Sequence, residues 1–462
     1  VTTKRPAILG SAVYLPRFRA GTGRRRVTVR NGDEDALTLA VAAAQSLISN
    51  LGSVPEIDEV HLAVGRPDLV DGPQPQVLRE ALGLSTDLPG GTFAGDALAG
   101  LTALTAATDA VAAGRSRAVL VLASEPGDGV RVSAAAVALL VARAGAGPSL
   151  RVLGQRSHAE VVYGNWVDGQ NTRHPGDGRY LEHAVTGLAT RVWRLLADSG
   201  VTRAGPATSG TAAPVDGPGD SAMSAPDMVT GVAAAAVARA CGADPTAVLP
   251  DHGVAGPLLA LLRAADAGSG PTDGSPASPG RTVHILAVTA GRVVGIAAHA
   301  DPGGPSWRPP ETDDDAGLPV EPECSPPLSL PTSSPFFQRA SRELLRLEGA
   351  RCRRCGQVMF PPSQRPVCSG CQGYDFEPVA LSRTGSVHTY VVNRFLPRGF
   401  GDEMTLVLGE MDDGSRYWAP TSGIHPGELA IGHPVELRLR RFTDHGGAPA
   451  YAMKFTAREE PA

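Results

Sequence analysis

Cys352, Cys355, Cys368 and Cys371 stand in the run RCRRCGQVMFPPSQRPVCSGC, two Cys-x-x-Cys knuckles separated by twelve residues. Each knuckle offers two thiolates from one tight turn, and two knuckles complete a closed four-sulfur shell with no position left for water. That donor set is suited to a structural zinc ion. The competing chemistry is a pair of disulfides or a redox couple. Either would fit better with a secretion signal, and VTTKRPAILGSAVYLPRF at the start of the chain has no extended apolar segment ending in a small-residue cleavage site. Cys241 and Cys324, the other two cysteines, are isolated in the sequence.

The elements that must carry this site and any other fall into distinct regions. At 462 residues the chain is too long for one ordinary core, so two or more domains are expected. A net charge of −5 gives no electrostatic reason to expect a nucleic-acid partner. No uninterrupted apolar span of about 20 residues is present to cross a bilayer, and the expectation is a cytoplasmic protein. From Arg5 to about Ala144, short apolar strands alternate with Ala-rich helices, the pattern of an α/β domain with helices covering a largely parallel sheet. Asp33, Glu34 and Asp35 precede one such helix, where negative charge complements the helix dipole. A second half is expected to begin near Val132 with SAAAVALLVA and to end in a hairpin centred on Gly291. Gly-, Ser- and Pro-rich stretches at Arg203–Pro226 and Gly268–Gly280 read as surface loops, and Pro302–Pro335 as an interdomain linker. Beyond the linker come a short helix, PFFQRASRELLRLE, the cysteine ribbon and several short strands that suggest a small closed barrel.

The C-terminal third resembles the acyl-CoA-associated zinc-ribbon and OB-fold domain known as DUF35. The resemblance rests on the two knuckles, the FPP of Phe360–Pro362, the GSVHTY strand of Gly385–Tyr390, and the late turn Ile431, Gly432 and Val435. The first 300 residues are similar to the thiolase superfamily, nearest to its hydroxymethylglutaryl-CoA synthase and ketoacyl synthase III branch. That similarity is carried by AILGSAVYLPRFR, DEDALTLAVAAA, DALAGLTAL at Asp96–Leu104, DHGVAGPLLAL at Asp251–Leu261 and the terminal hairpin. The expected architecture is a duplicated thiolase-like α/β fold over 1–301, a Pro-rich linker over 302–334, a helix and zinc ribbon over 335–380, and an OB-type β-barrel over 381–462. An OB barrel is also compatible with single-stranded nucleic acid. Arg438, Arg440 and Arg441 would supply charge for that, against an acidic overall balance.

The same resemblance implies a catalytic set that this chain departs from. Where the family places its nucleophile, in a stretch like Ala-Cys-x-Gly-x-Thr-Ala-Leu, Ala97–Leu104 puts Leu98. An isobutyl group can neither ionise nor attack a thioester. The His-x-Pro element aligns with Ser224-Ala225-Pro226, and the Gly-Asn element with Pro250-Asp251. An ionised carboxylate accepts hydrogen bonds but cannot donate them as the amide does. Asp251 and His252 lie in a loop that faces the acyl pocket in the family and could act as acid or base; the alternative is a helix cap and a solvated imidazole. His158, Tyr163, His174 and His183 fall where the synthase branch carries substrate contacts, or are structural. Arg24, Arg25 and Arg26 could meet the phosphates of coenzyme A, or form a solvated loop.

These observations lead to three functional expectations. The first is a component of an acyl-CoA or acyl-carrier acyltransferase or condensing assembly, as a homodimer or as a heteromer with a Cys-bearing thiolase-like subunit. The second is a Cys-independent retro-aldolase or related C–C bond enzyme on acyl thioesters, with Asp251, His252, Ser224 and Tyr163 as its candidate residues. The third is a non-catalytic acyl-CoA-binding scaffold.

Overall fold

Apolar runs without alternation, such as AVLVLAS and AAVALLVA, are buried on both faces, as strands are when helices cover each side of a sheet. The computed structural model describes residues 5–21, 26–51, 56–67, 74–85, 87–145, 147–164, 166–167, 173–174, 176–199, 225–266, 280–308, 340–397, 403–445 and 448–458. Their contacts divide into two units. The first comprises Val1–Leu15, Ser46–Arg66 and Pro89–Ala316, and the second Pro16–Gln45, Pro67–Leu88 and Gly317–Ala462.

The first unit holds a nine-stranded sheet of β1 (Pro6–Tyr14), β2 (Glu59–Val64), β3 (Gly90–Ala94), β4 (Ala118–Glu125), β5 (Ala135–Arg143), β6 (Leu150–Ala159), β7 (Met228–Gly231), β8 (Arg281–Thr289) and β9 (Arg292–Ala300). The spatial order is β7-β8-β9-β6-β1-β5-β4-β2-β3. In the first half β2 runs parallel to β3 and β4, β4 antiparallel to β5, and β5 antiparallel to β1. In the second half β7 runs parallel to β8, β8 antiparallel to β9, and β9 antiparallel to β6. Matching β1 with β6, β2 with β7, β4 with β8 and β5 with β9 reproduces every neighbour and direction, so the α/β fold is duplicated. Among the described residues the counterpart of β3 is reduced to one parallel bridge, Val229 to Val248. The halves join where Ile8 pairs with Leu150.

One boundary differs from the sequence reading. Ala135–Arg143 is the closing strand of the first half, held between β4 and β1, and the second half begins at Leu150. An all-apolar strand carries no signal of its direction, so its half could not be read from the sequence. The hairpin expected at Gly291 is formed, with Thr289 paired to Arg292.

The helices are α1 (Ala36–Asn50), α2 (Gln74–Leu82), α3 (Ala99–Ala112), α4 (Gly178–Asp198), α5 (Ala234–Ala240) and α6 (Gly256–Asp266). Within the first unit, α3 and α6 share an apolar cluster with Val119, Val121, Val137, Ile285 and Ile296 from both halves of the sheet. On the opposite face of the second half, α4 and α5 pack on Leu286, Val288, Val293 and Ala297. Ala103, Ala107 and Ala110 are fully buried on α3, and small side chains there let the layers approach closely. Asp177 starts α4 by accepting hydrogen bonds from the Arg179 and Tyr180 amides.

In the second unit, β10 (Glu348–Cys352), β11 (Val358–Met359) and β12 (Phe376–Ala380) form a ribbon in the order β11-β10-β12. A five-stranded antiparallel sheet follows, of β13 (Thr384–Asn393), β14 (Met404–Met411), β15 (Arg416–Pro420), β16 (Pro434–His445) and β17 (Ala448–Ala457), in the order β15-β14-β13-β16-β17. Past β15, Thr421 bridges Phe455 and the Ser422 amide donates to the Phe455 carbonyl at 2.8 Å, which nearly closes the barrel. The buried positions of β14 alternate strictly, as one-sided burial requires. Of the expected helix before the ribbon, the described part is a short π-type turn, Arg342–Arg346. The loop and linker stretches lie for the most part outside the described residues.

Leu258 on α6 is fully buried, whereas Leu195 on α4 is 42% exposed. Leu258→Ala is expected to cost about 2–5 kcal/mol and Leu195→Ala within about 0.5 kcal/mol, measured by denaturant unfolding of the two variants.

Candidate functional site

The four cysteines converge. Cys352 ends β10, and its knuckle is closed by the Gly356 amide donating to the Cys352 carbonyl at 2.8 Å and the Cys352 amide to the Gln357 carbonyl at 2.9 Å. In the second knuckle the Gln372 amide donates to the Cys368 carbonyl at 3.0 Å, and the Cys368 amide to the Gly373 carbonyl at 2.9 Å. The Cys352 and Cys371 sulfurs are 3.6 Å apart, those of Cys355 and Cys368 3.5 Å, and all four lie within 4.8 Å of one another. Disulfide sulfurs would be about 2.05 Å apart, while four thiolates at about 2.3 Å from one zinc ion stand roughly 3.8 Å from each other. The Cys371 amide, with that of Gly370, holds the Cys368 thiol down to about 7. The Gln357 amide favours the Cys355 thiolate as well, but the neighbouring sulfurs push this thiol up to about 12. Four sulfurs this close cannot all ionise without a cation among them, so the donor set fits zinc, which would supply a structural cross-link.

In the first unit a second constellation gathers at the start of α3. Leu98 is 1% exposed at the N-cap of α3, and its amide donates to Asp96 Oδ1 at 2.9 Å. Gly100, the second residue of α3, lies so close to the 3₁₀ turn Gly253–Ala255 that a Cβ there would stand 2.6 Å from the Val254 carbonyl oxygen. Glu125, at the C-terminal end of β4, reaches the same turn. Its Oε2 accepts from the Val254 amide at 3.4 Å and its Oε1 from the Gly127 amide at 3.1 Å. Gly253 has φ of 48°, which favours glycine, and a Cβ on it would sit 2.1 Å from Glu125 Oε2 and displace that carboxylate. Burial pushes the Glu125 carboxyl above the usual range, and the charges of Asp251 and Asp128 add to the shift.

Asp251 and His252 border this turn. Asp251 Oδ1 accepts from the Gly253 amide at 2.9 Å, and the Asp251 carbonyl accepts from the Ser133 amide at 2.8 Å. His252 is buried, with Nδ1 2.7 Å from the Pro250 carbonyl. A carbonyl can only accept, so Nδ1 carries a proton and donates it there. Tyr163 is 72% exposed, and Ser224, Arg24 and Arg25 lie outside the described residues. Arg26 is half-buried in the second unit. His158 pairs with Glu160 and Arg191, His174 stacks on Trp166, and His183 is exposed. Burial raises the Cys241 thiol, as expected of an inert packing cysteine. Arg438, Arg440 and Arg441 do not line an open groove. Arg440 is buried against Glu34 at 2.9 Å, Arg441 faces Asp35 at 3.7 Å, and Arg438 pairs with Glu436 at 2.5 Å.

Glu125 was not singled out in the sequence. The available signal was an acid ending an otherwise apolar strand just before PGDG, because the carboxyl ends of strands in α/β sheets are where ligands meet the fold.

The model of the ChsH2 rubredoxin-like zinc ribbon domain matches residues 339–377. A DUF35 domain-containing scaffold protein of Methanocaldococcus jannaschii is 34% identical over 122 residues, 25% of this chain and 85% of that one. Benzoylsuccinyl-CoA thiolase subunit BbsA of Thauera aromatica is 31% identical over 110 residues, 24% of this chain and 74% of its own. A β-ketoacyl-[acyl carrier protein] synthase III from Thermus thermophilus aligns with 64% of this chain and 98% of its own at 17% identity, with a TM-score of 0.47. The ribbon and barrel thus define a zinc-ribbon and small-barrel module, fused here to a duplicated α/β domain. The chain belongs to the DUF35 domain-containing family.

Two measurements check these sites. Metal analysis of the purified chain should find about one zinc per chain, and Cys368→Ser should lose it together with the folded ribbon. Glu125 binds its proton more tightly folded than unfolded, so its contribution to stability falls as pH rises from about 4 through the raised pKa. Glu125→Gln should remove that slope from a plot of melting temperature against pH.

Proposed function

We propose that this chain is the component without a nucleophile in an assembly that performs acyl transfer or condensation on acyl thioesters. The observation that carries this reading is Leu98, buried at the head of α3 with its amide engaged by Asp96. A helix N-terminus is where a thiol is most readily ionised, and this side chain has no ionisable group. Relatives named as a scaffold protein and as a thiolase subunit support a role beside a catalytic partner. The partner would be a Cys-bearing thiolase-like subunit, and the acyl donor coenzyme A or an acyl carrier protein, with Arg24, Arg25 and Arg26 offered to the phosphates. The setting is the cytoplasm. Joining two functions in one chain raises their effective concentration without any new contact.

A second reading is favoured by Glu125. A carboxyl raised above the usual range by burial and by the charge of Asp251, on the turn that His252 precedes, would serve as a proton donor at this site. Such a group suits Cys-independent cleavage of a β-hydroxyacyl thioester, with Ser224 and Tyr163 as further groups to mutate.

Native mass spectrometry of the tagged chain, isolated gently from its own host, separates the two readings. The expected result is co-purification with a Cys-bearing thiolase-like subunit, with acyl-transfer turnover lost when the subunits are separated. A homodimer with full turnover by itself would overturn the first reading, and the second would then require loss of that turnover in Glu125→Gln or Asp251→Asn.

A further inference from the structure

Within the second unit, residues from the first ninety positions meet residues beyond 340 through charges that are out of water. Asp33 is fully buried; its Oδ2 accepts from Lys454 Nζ at 2.7 Å and its Oδ1 from Ser422 Oγ at 2.9 Å. Glu34 and Arg440, both nearly buried, are 2.9 Å apart. Asp35 caps α1 by accepting from the Thr38 amide at 2.9 Å, and its other oxygen accepts from the Tyr451 hydroxyl at 2.7 Å. The main chain joins in, with the Arg441 amide donating to the Asp33 carbonyl at 2.9 Å.

A second anchor lies at the C-terminal end of α2. Arg383 donates to the Ala81 carbonyl at 2.7 Å, and Arg346 reaches both the Glu80 carboxylate and the Leu84 carbonyl. Cations at a helix C-terminus meet the negative end of its dipole and its unpaired carbonyls. Both anchors set cations of the module against negative groups, consecutive carboxylates in one and a helix end with its Glu80 carboxylate in the other. Together they admit the ribbon and barrel in one register.

We infer that Asp33–Asp35 and the end of α2 form a receptor surface for the module of residues 340–458, which is held there as a docked subunit and not by its covalent connection to residue 308. The partner that this surface fits is a barrel whose last two strands present Arg440, Arg441 and Lys454 together. Buried charge pairs of this kind select partner and register, because any other seating strands an unpaired ion. The inference concerns how the chain holds together and stands whether or not the chain has a catalytic partner.

The test cuts the connection in the full chain. A specific protease site is inserted between Ala316 and Gly317, and the cleaved protein is followed by native mass spectrometry and gel filtration. The two fragments are expected to travel as a one-to-one complex. The double variant Asp33→Asn, Glu34→Gln should bind its zinc and remain one species uncut, yet release its fragments at least about tenfold more readily once cut. Should that variant fail to fold, Arg346→Gln tests the second anchor in the same way. Wild-type fragments that separate on cutting would overturn the inference, as would variant fragments that stay together as tightly as the wild type.

Discussion

Asp33, Glu34 and Asp35 follow one another in the chain, and all three are buried. Three consecutive carboxylates can leave water only if cations and donors are brought to them from elsewhere, since an isolated buried charge costs several kcal/mol. Here Arg440, Arg441, Lys454 and Tyr451 come from the last two strands of the barrel. Those strands must therefore run where their cations reach the head of α1, and this fixes the second unit. A cationic hairpin that could have been read as a groove for phosphates is consumed internally.

The first unit is a duplication whose two halves differ in extent. Strand order and direction repeat, but among the described residues the counterpart of β3 is a single bridge at Val248. Leu98 is buried at the head of α3. Glu125 meets the Gly253–Ala255 turn, with Asp251 and His252 on its border. The geometry of the site rests on the close approach of Gly100 to the Val254 carbonyl and of Gly253 to the Glu125 side chain.

Legibility followed sequence separation. The zinc ligands were readable because each knuckle is a local turn and two Cys-x-x-Cys pairs spaced twelve residues apart form a recurrent donor pattern. The hairpin at Gly291 and the helices α1, α3 and α6 were readable from periodicity and from breakers. The boundary between the halves was misplaced because β5 is apolar on both faces. Glu125 was passed over because its surroundings, the 3₁₀ turn and Asp251, are about 125 positions away in the chain.

The acidic run before α1 shows the division most clearly. The sequence by itself determined that a helix begins there, and Asp35 does cap it, because capping is a contact over three residues. It likewise determined the ribbon, the barrel's alternation and the duplicated α/β pattern, all set by local spacing and burial. Tertiary structure alone decided that Asp33 and Glu34 answer Lys454 and Arg440 more than 400 positions away, and that segments 16–45 and 67–88 group with the C-terminal module. Charge is read in a sequence as composition, but its partner is chosen by which strands the core has already brought alongside.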